Sequence, residues 1–289
     1  MAATTALLLV LAFLCYVINP SSSLSYVARA ATQLHSSIAT GDTIIDVQQV
    51  VSIETLKSEI IKKSLQVNRG EIASSNEKFR LADLIKTLES SAAPAVPTTK
   101  EMFYGKWCLV FSDTQLFRSS PFFLAARAVC QDGDEADRFN NFCDLHRDAL
   151  SFSQIGKVSQ EITETSMTSF FETKVSAVNG LPFVVKGTIQ STAEVLSLAT
   201  DGNESVMQIC MDRVRIQQYS SNIPVIGEAL NRFSGLPIRS LGNFLETSPL
   251  LAGRYKNPKP ILRTRYIDTD FRVTRDQDDN IFVFVRETL

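Results

Sequence analysis

The chain lacks most of the signals that common enzyme classes carry. Only two of its 289 residues are histidine, and only His146 lies beyond the N-terminal region. No Gly-x-Ser-x-Gly, Gly-x-Gly-x-x-Gly or Gly-Lys-Ser/Thr motif occurs, which excludes the serine hydrolase elbow and the usual phosphate-binding loops. A histidine-dependent triad would have to use His146, which the pattern places in a polar loop. We therefore expect no catalytic residue and no cofactor.

Metal-binding patterns are also missing. The five cysteines show no Cys-x-x-Cys spacing, which argues against a zinc site. The acidic cluster Asp132, Asp134, Glu135 and Asp137 lacks the ligand spacing of an EF-hand, so we expect a solvated loop and no metal. Whether Cys130 and Cys143 pair stays open, because a buried free thiol is an ordinary packing residue.

Charge and hydropathy indicate which nucleic-acid or membrane interactions to expect. The net charge of −2 shows no basic footprint, so no nucleic-acid partner is expected. Apolar residues run unbroken from Ala6 to Ile18 and no such run of 18 or more follows, which predicts no membrane-spanning helix after the leader. The 18 phenylalanines fit either a packed β core or an apolar cavity.

The N-terminal region is typical of a bipartite leader. The run from Ala6 to Ile18 matches a signal-peptide core, and small residues before Tyr26 or Ala31 offer cleavage sites. Residues 26–41 contain Arg29, many small and hydroxylated residues and no acid, as in organellar transit segments. We interpret 1–25 as a signal peptide and 26–41 as a transit-like segment, which predicts a complex plastid. Plain secretion is the alternative, and the sequon at Asn203 is compatible with it.

Residues 42–97 are predicted to form a helical hairpin. Leu56, Ile60, Ile61 and Leu65 recur near helical spacing between 50 and 68, and Gly70 supplies a stop. The second helix opens with a capping-box pattern at Ser74 and Glu77. Its apolar face is predicted at Leu81, Leu84, Ile85 and Leu88.

Residues 98–289 are predicted to form an antiparallel β-barrel. The run from Gly105 to Ser112 holds the only tryptophan, and its alternation places Trp107, Leu109 and Phe111 on one face. Further strands are predicted near 158–163, 171–177, 182–190, 194–198, 206–218, 263–275 and 281–287, and closure would remove the sheet edges. The stretches 117–150 and 220–259 interrupt them as long connections. A connection as long as 220–259 is typical of a lid or a binding loop. Its apolar residues are expected either to cover the barrel mouth, to contact a lipid surface, or to pack on the core as a short helix.

Several residues are candidates for a structural or ligand-pocket role. We expect Trp107 to close one end of the barrel. We also expect a cation–π contact between its ring and the guanidinium of Arg272, Arg275 or Arg286. Period-two geometry places Asp268, Asp270 and Arg272 on one face with Tyr266, with Arg272 or Arg265 as the partner of the acids. Four roles stay open for Asp268, Asp270 and Arg272. They are an internal ion pair, a polar outer face, orientation of a ligand, and acid/base catalysis. The full set of candidates is Trp107, Phe111, Phe122, Tyr266, Asp268, Asp270, Arg272 and Phe282.

Taken in order, several short motifs resemble the plastid lipid-associated proteins, also called plant fibrillins or plastoglobulins. They are Asn68-Arg69-Gly70, Leu88-Glu89, Gly105-Lys106-Trp107, Phe117–Phe122, Gly156–Gln160, Tyr266–Arg275 and Ile281–Val285. The resemblance implies a lipocalin-like barrel, so the fold class is mainly β (α+β) with an N-terminal helical hairpin. It also implies a plastid location at plastoglobules or thylakoids, apolar lipid partners such as isoprenoids, carotenoids, quinones and acyl lipids, and no catalytic residue.

Two non-enzymatic hypotheses follow from the residues and the resemblance together. The protein binds or coats apolar lipids at plastoglobules or thylakoids, through a cavity or an apolar mouth loop. Alternatively it is a scaffold of the lipid-body surface with a filled barrel, and a surface loop or the helical hairpin makes the contact. A lipid-modifying enzyme using Asp268 and Asp270 is the third and least favoured hypothesis, and the oligomeric state stays open.

Overall fold

A closed barrel of eight strands forms the body of the protein. The structure is a computed structural model that describes residues 52–91, 99–130, 133–149, 153–178, 181–201, 204–221, 235, 237–247 and 257–287. Every sheet neighbour is antiparallel, and β1 pairs with β8 to close the barrel. The predicted mainly β fold with an N-terminal helical part is therefore confirmed. The predicted leader lies outside the described residues, and so do the turn signals Asn179-Gly180 and Gly202-Asn203 of the sequence.

The strands follow one another around the barrel in chain order. Their bounds are β1 Gly105–Ser112, β2 Ser153–Ile162, β3 Ser166–Val178, β4 Leu181–Asp201, β5 Glu204–Ser221, β6 Ile261–Ile267, β7 Phe271–Arg275 and β8 Ile281–Arg286. We call the end at which β1 begins the base and the end at which β1 finishes the mouth. The turns 163–165 and 268–270 lie at the base, and the turn 276–280 lies at the mouth.

Two strand predictions were wrong. The segment 263–275 is not one strand, because a turn at 268–270 separates β6 from β7. The segments 182–190 and 194–198 are parts of one long strand, β4, whose pairing with β5 shifts register near Thr192 and Val195. Such bulges let a long strand bend without ending, so a break in alternation is not a strand end.

The helical hairpin consists of α1 (Ile53–Gln66) and α2 (Ser75–Ser91). The predicted capping box is present, since the Ser74 amide donates to Glu77 Oε2 at 2.8 Å and the Glu77 amide donates to Ser74 Oγ at 3.3 Å. Leu81, Ile85 and Leu88 are buried as predicted. Leu65 is not on the buried face and is 69% exposed, because the buried stripe of α1 continues through Ser64 to Val67.

The long connection after β1 is largely helical, which corrects the prediction of a loop. A 3₁₀ turn at Leu116–Ser119 leads into α3 (Pro121–Val129) and α4 (Gly133–Ala149). Ser120 precedes Pro121 at the first helical position, where the missing N–H of proline costs nothing. His146 therefore lies on a helix and not in a loop. The connection between β5 and β6 contains α5 (Ile238–Thr247).

Buried side chains form two separate cores. The inner core lies inside the barrel and contains Trp107, Leu109, Phe282 and Phe284. The outer core joins the hairpin to the barrel wall, and its members are Leu56, Ile60, Val67, Leu81, Ile85, Leu88, Phe111, Tyr266, Phe271, Val273, Ile281 and Val283. A register shift in β1 between Leu109 and Phe111 moves Phe111 to the outer core, so the prediction that it shares a face with Trp107 was wrong.

None of the helices in the described ranges is both long and apolar enough to cross a bilayer.

Candidate functional site: the barrel interior and its two ends

The base of the barrel is closed around Trp107. A 3₁₀ turn at Lys100–Phe103 precedes β1, and the Trp107 indole N–H donates to the Phe103 carbonyl at 2.8 Å. Arg286 lies 4.2 Å from the ring centroid and donates to the carbonyls of Met102 and Tyr104. The indole is fully buried, and its only polar atom is satisfied, which makes it a structural closure of the base.

Arg272 is a buried cation without an acidic partner in the described structure. Its guanidinium lies 5.0 Å from the Trp107 ring and 4.3 Å from the Phe284 ring, and Nη2 donates to Gln160 Oε1 at 2.5 Å. Its Nε has no hydrogen-bond partner. Burial, and secondarily the charge of Arg286, lowers the pKa of Arg272 to about 9, so the side chain stays protonated at neutral pH.

A short polar row crosses the interior at the level of this arginine. Gln160 on β2 donates through Nε2 to the Ser119 carbonyl at 2.9 Å and accepts from Arg272. Ser169 is paired with Gln160 across β2 and β3, and its buried hydroxyl has no partner. Among the residues that the structure describes, this row therefore carries the positive charge of Arg272 and two unused polar atoms, Arg272 Nε and Ser169 Oγ.

A segment of the chain itself packs into the described part of the mouth. We call residues 116–130 the mouth plug; Leu116, Phe117, Phe123 and Leu124 of this segment are buried in the same core as Trp107. Phe122 packs against this core and contacts the Phe123 ring edge-on at 5.2 Å between centroids. The carbonyl of Ser119 reaches down to Gln160. The plug thus extends from the mouth to the polar row.

Ion pairs fasten the plug to the turn between β7 and β8. Arg118 lies 3.1 Å from the Asp278 carboxylate and 3.7 Å from the buried Asp276. Arg127 binds the same Asp278 through two hydrogen bonds, of 2.9 and 2.8 Å. Burial raises the pKa of Asp276, which hydrogen bonds from Asn280 and the charge of Arg118 oppose. These contacts cross about 150 residues of sequence.

The two aspartates proposed for chemistry lie at the base, outside the barrel. Asp268 and Asp270 stand in the β6–β7 turn, where they accept from Lys57 Nζ of α1 at 3.0 and 2.6 Å. The Tyr266 hydroxyl donates to Asp268 at 2.5 Å. The prediction that Arg272 or Arg265 pairs with these acids was wrong, because the turn separates them from β7 and Arg272 points inward.

The electrostatics of this cluster are those of a closed ion pair. Burial opposes ionisation of Asp268, but hydrogen bonds from Tyr266, Asp270 and Lys57 lower its pKa to about 2. Burial alone would lower the pKa of Lys57, yet hydrogen bonds to Asp270, Glu54 and Asp268 raise it. Burial and the bond to Asp268 raise the pKa of Tyr266. Asp268 is therefore held ionised, Lys57 protonated and Tyr266 neutral. A catalytic acid or base would instead have a pKa near the working pH.

The Asn68-Arg69-Gly70 motif clamps the hairpin to the barrel near the mouth. Gly70 has φ +99°, and a Cβ there would lie 2.0 Å from the Ser112 carbonyl oxygen, so no larger residue fits. Arg69 donates to the carbonyls of Gly156 and Ile155 at 2.5 and 3.0 Å. These carbonyls are exposed where the β2–β3 register shifts, which explains why the motif and Gly156 occur together.

A cleft of about 230 Å³ opens at the base. Its apolar lining comes from Tyr104, Ile162, Val195, Leu198 and Met207, with Lys100 and Glu164 among its polar residues. Pockets for drug-sized ligands span about 300–1,000 Å³, so this cleft is too small to enclose a whole carotenoid or long-chain quinone.

The predicted site residues are thus divided among four places. Trp107, Arg272 and Phe282 lie in the interior, Phe122 at the mouth, Phe111 and Tyr266 in the outer core, and Asp268 and Asp270 in the base turn. Arg275, a candidate for the Trp107 ring, instead binds Glu89 of α2 at 3.0 Å. Gln160, Lys57 and Arg118 were not predicted, since their partners are distant in sequence.

The described residues form neither a metal site nor a disulfide bond. Among the described residues, no group of three or more His, Cys, Asp or Glu side chains is placed to hold a metal ion. Asp134 and Glu135 stand in the first turn of α4, where negative charge suits a helix N-terminus. Cys130 and Cys143 are both buried and form no disulfide bond, which answers the question of their pairing.

Comparison with known proteins places this architecture in a family. The sequence model of PAP_fibrillin matches residues 54–285. "Probable plastid-lipid-associated protein 2, chloroplastic" of Arabidopsis thaliana is 22% identical over 267 residues, covering 86% of this chain and 75% of the relative. "Plastid lipid-associated protein 2, chloroplastic" of Brassica campestris is 22% identical over 258 residues, covering 83% of this chain and 71% of the relative. No solved structure matches. The chain, from the helical hairpin to the last strand, belongs to the PAP_fibrillin family.

Proposed function

We propose that this protein is a non-enzymatic, plastid lipid-associated protein that coats apolar-lipid surfaces, at plastoglobules or thylakoids. Family membership and the names of the two plant relatives support the lipid association and the plastid. The sequence of residues 1–41 supports a complex plastid reached through a signal and transit leader. Fusion of residues 1–41 to a fluorescent protein, in an alga with such a plastid, tests the location; a secreted fusion would refute it.

The filled mouth is the observation that favours coating over storage. The mouth plug places its own phenylalanines in the core beside Trp107, and its Ser119 carbonyl is bonded to Gln160. A lipid of carotenoid length would have to displace this segment together with the ion pairs of Arg118 and Arg127. A packed barrel keeps such lipids outside, where apolar burial acts at roughly 25 cal/mol per Å² of contact.

The geometry of the base turn argues against catalysis. Asp268 and Asp270 share Lys57, on the outer side of the barrel. Enzymes that use two carboxylates hold at least one in a cleft with its pKa moved toward neutrality. Here the pKa of Asp268 moves the other way, so the two acids act as a clasp between α1 and the barrel.

One observation favours a second function, the binding of a single ligand inside the barrel. Arg272 is buried without an acid, and both its Nε and the Ser169 hydroxyl lack partners in the described structure. A buried unsatisfied polar group costs about 1–3 kcal/mol, which a ligand oxygen would recover. Such a ligand would carry a carboxylate or carbonyl at the end of an apolar chain.

Co-flotation and titration distinguish the two functions. Both assays are run on the full chain and on the chain from residue 42. The shorter chain retains every described contact and all of the residues that match the family. Coating predicts co-flotation with phospholipid-coated triacylglycerol droplets and no saturable binding of carotenoid, plastoquinone or fatty acid in solution. Saturable binding that falls in Ser169→Ala and Arg272→Gln would favour the internal ligand. Neither flotation nor binding would refute both.

A further inference from the structure

Three large apolar side chains stand exposed at the turn of the helical hairpin. Leu65 is 69% exposed, Ile72 is 71% exposed and Phe79 is 72% exposed. We call these three residues the hairpin tip. Only one other large apolar side chain in the described part of the chain is exposed, Leu196 on β4 at 38%. The three lie within one stretch of 15 residues, in or on either side of a single turn. Exposed apolar residues that lie together mark an interaction surface more often than scattered single residues do.

The backbone of the hairpin tip is held against the barrel. The backbone between Leu65 and Ile72 is fixed by Gly70 against the Ser112 carbonyl and by Arg69 on the β2 carbonyls. On the α2 side, Lys78 Nζ donates to the Asp113 carbonyl at 2.8 Å. All of these anchors lie at or near the mouth end of the barrel, so the tip is presented at that end.

Free positive charge accompanies the apolar side chains. Residues 62–80 contain five cations, Lys62, Lys63, Arg69, Lys78 and Arg80, and two acids, Glu71 and Glu77. Two of these cations have acidic partners, since Arg69 lies 3.7 Å from Glu71 and Lys63 lies 3.6 Å from Glu59. Glu77 is the capping-box acid. Lys62 and Arg80 are exposed, and within the described ranges neither makes a hydrogen bond or a salt bridge, although the pKa of Glu77, which the hydrogen bonds from Ser74 lower, is lowered further by the charge of Arg80. The uncompensated charge of this surface is therefore positive.

We propose that the hairpin tip docks onto an anionic lipid surface, with Leu65, Ile72 and Phe79 inserted below the headgroups and Lys62 and Arg80 at their level. The inference rests on the proposed coating function and names the face that performs it. Apolar residues flanked by free cations fit the boundary between anionic headgroups and acyl chains. Binding of a protein partner or of a second copy of the chain would not explain the free cations beside the apolar residues. The experiment below distinguishes these two alternatives from a lipid surface.

Flotation with vesicles tests the assignment. The triple variant Leu65→Ser, Ile72→Ser, Phe79→Ser is compared with Leu196→Ser, the matched control, in the chain from residue 42 and in the full chain. Vesicles contain phosphatidylcholine with or without phosphatidylglycerol. We expect the triple variant to lose at least about tenfold in partition to anionic vesicles, while Leu196→Ser floats like the natural sequence. Thermal unfolding of the triple variant should change little, because its three side chains are 69–72% exposed. It is also measured for Leu196→Ser, whose side chain is only 38% exposed, so that flotation is compared between folded proteins.

The double variant Lys62→Gln, Arg80→Gln tests the contribution of positive charge to vesicle binding. We expect it to lose affinity several-fold for anionic vesicles only, and the loss to disappear at high salt. Equal flotation of the triple variant and the natural sequence would overturn the docking face and leave the coating function standing. If the natural sequence floats with neither vesicles nor droplets, both proposals fail. If the triple variant changes only the sedimentation coefficient, the tip is an interface between copies and the proposal is overturned.

Discussion

Replacing Gly70 with alanine should detach the hairpin from the barrel. At φ +99° an L-residue costs about 1–2 kcal/mol relative to glycine. The new Cβ would also lie 2.0 Å from the Ser112 carbonyl oxygen, which is main chain of β1 and cannot turn away. Overpacking of this kind costs about 1–3 kcal/mol, so the free energy of unfolding should fall by about 2–5 kcal/mol in total.

Urea unfolding of Gly70→Ala gives the measurement, with two probes that report different parts. Fluorescence of the single tryptophan reports the base of the barrel, and far-ultraviolet circular dichroism also reports the helices. We expect the dichroism transition to move to lower urea. Gly133→Ala is the matched control, because a Cβ at Gly133 meets nothing within 4 Å. An unfolding midpoint for Gly70→Ala equal to that of Gly133→Ala would refute the clamp.

Three further predictions concern the base, the core and the mouth. The folded-state pKa of Asp268 is about 2, below its unfolded value of about 3.9, so its contribution to stability is present above pH 4 and lost between pH 4 and 2. The free energy of unfolding, measured from urea midpoints, should therefore fall by about 1–2 kcal/mol less between pH 4 and 2 in Asp268→Asn than in the natural sequence. An unchanged pH profile would contradict the role of Asp268 in binding Lys57. Burial raises the pKa of Cys143 to about 12, so iodoacetamide at pH 8 should modify it only after unfolding; modification of the native protein, seen by mass spectrometry, would contradict this. Asp278→Asn removes the shared partner of two plug arginines and should speed amide exchange in residues 116–130 without changing exchange in β2, whereas unaltered plug protection would disprove the fastening.

Features set by neighbouring residues were predictable from the sequence. The Ser74–Glu77 capping box and the stripe of Leu81, Ile85 and Leu88 depend on spacings of three and four, and both are present. The β2 alternation of Val158 and Ile162 also agrees with their burial in the inner core. These patterns need no knowledge of the rest of the chain.

Two local signals were available and were missed. Asp268 accepts from the amides of Asp270 and Phe271, which is an aspartate-capped turn that the Asp-Thr-Asp sequence permits. That turn divides the segment 263–275 into β6 and β7. The pair Ser120-Pro121 is a helix-start signal, yet the segment that follows was expected to be a loop.

The remaining features depend on contacts that no local pattern encodes. Lys57 meets Asp268 across 211 residues, and Arg127 meets Asp278 across 151. The shift of Phe111 to the outer core follows from one bulge, which moves a side chain to the other face of the sheet. The exposure of Leu65 likewise depends on where the barrel wall lies beside α1.

The dependence of binding on droplet size tests the coating claim most directly. Triacylglycerol droplets of two diameters are prepared with the same coat and the same total lipid volume, so halving the diameter doubles the surface area. A filled barrel that coats surfaces predicts that bound protein at saturation doubles and that no lipid moves into the droplet-free fraction. Bound protein that is independent of droplet diameter, together with lipid recovered in a one-to-one soluble complex, would contradict the account.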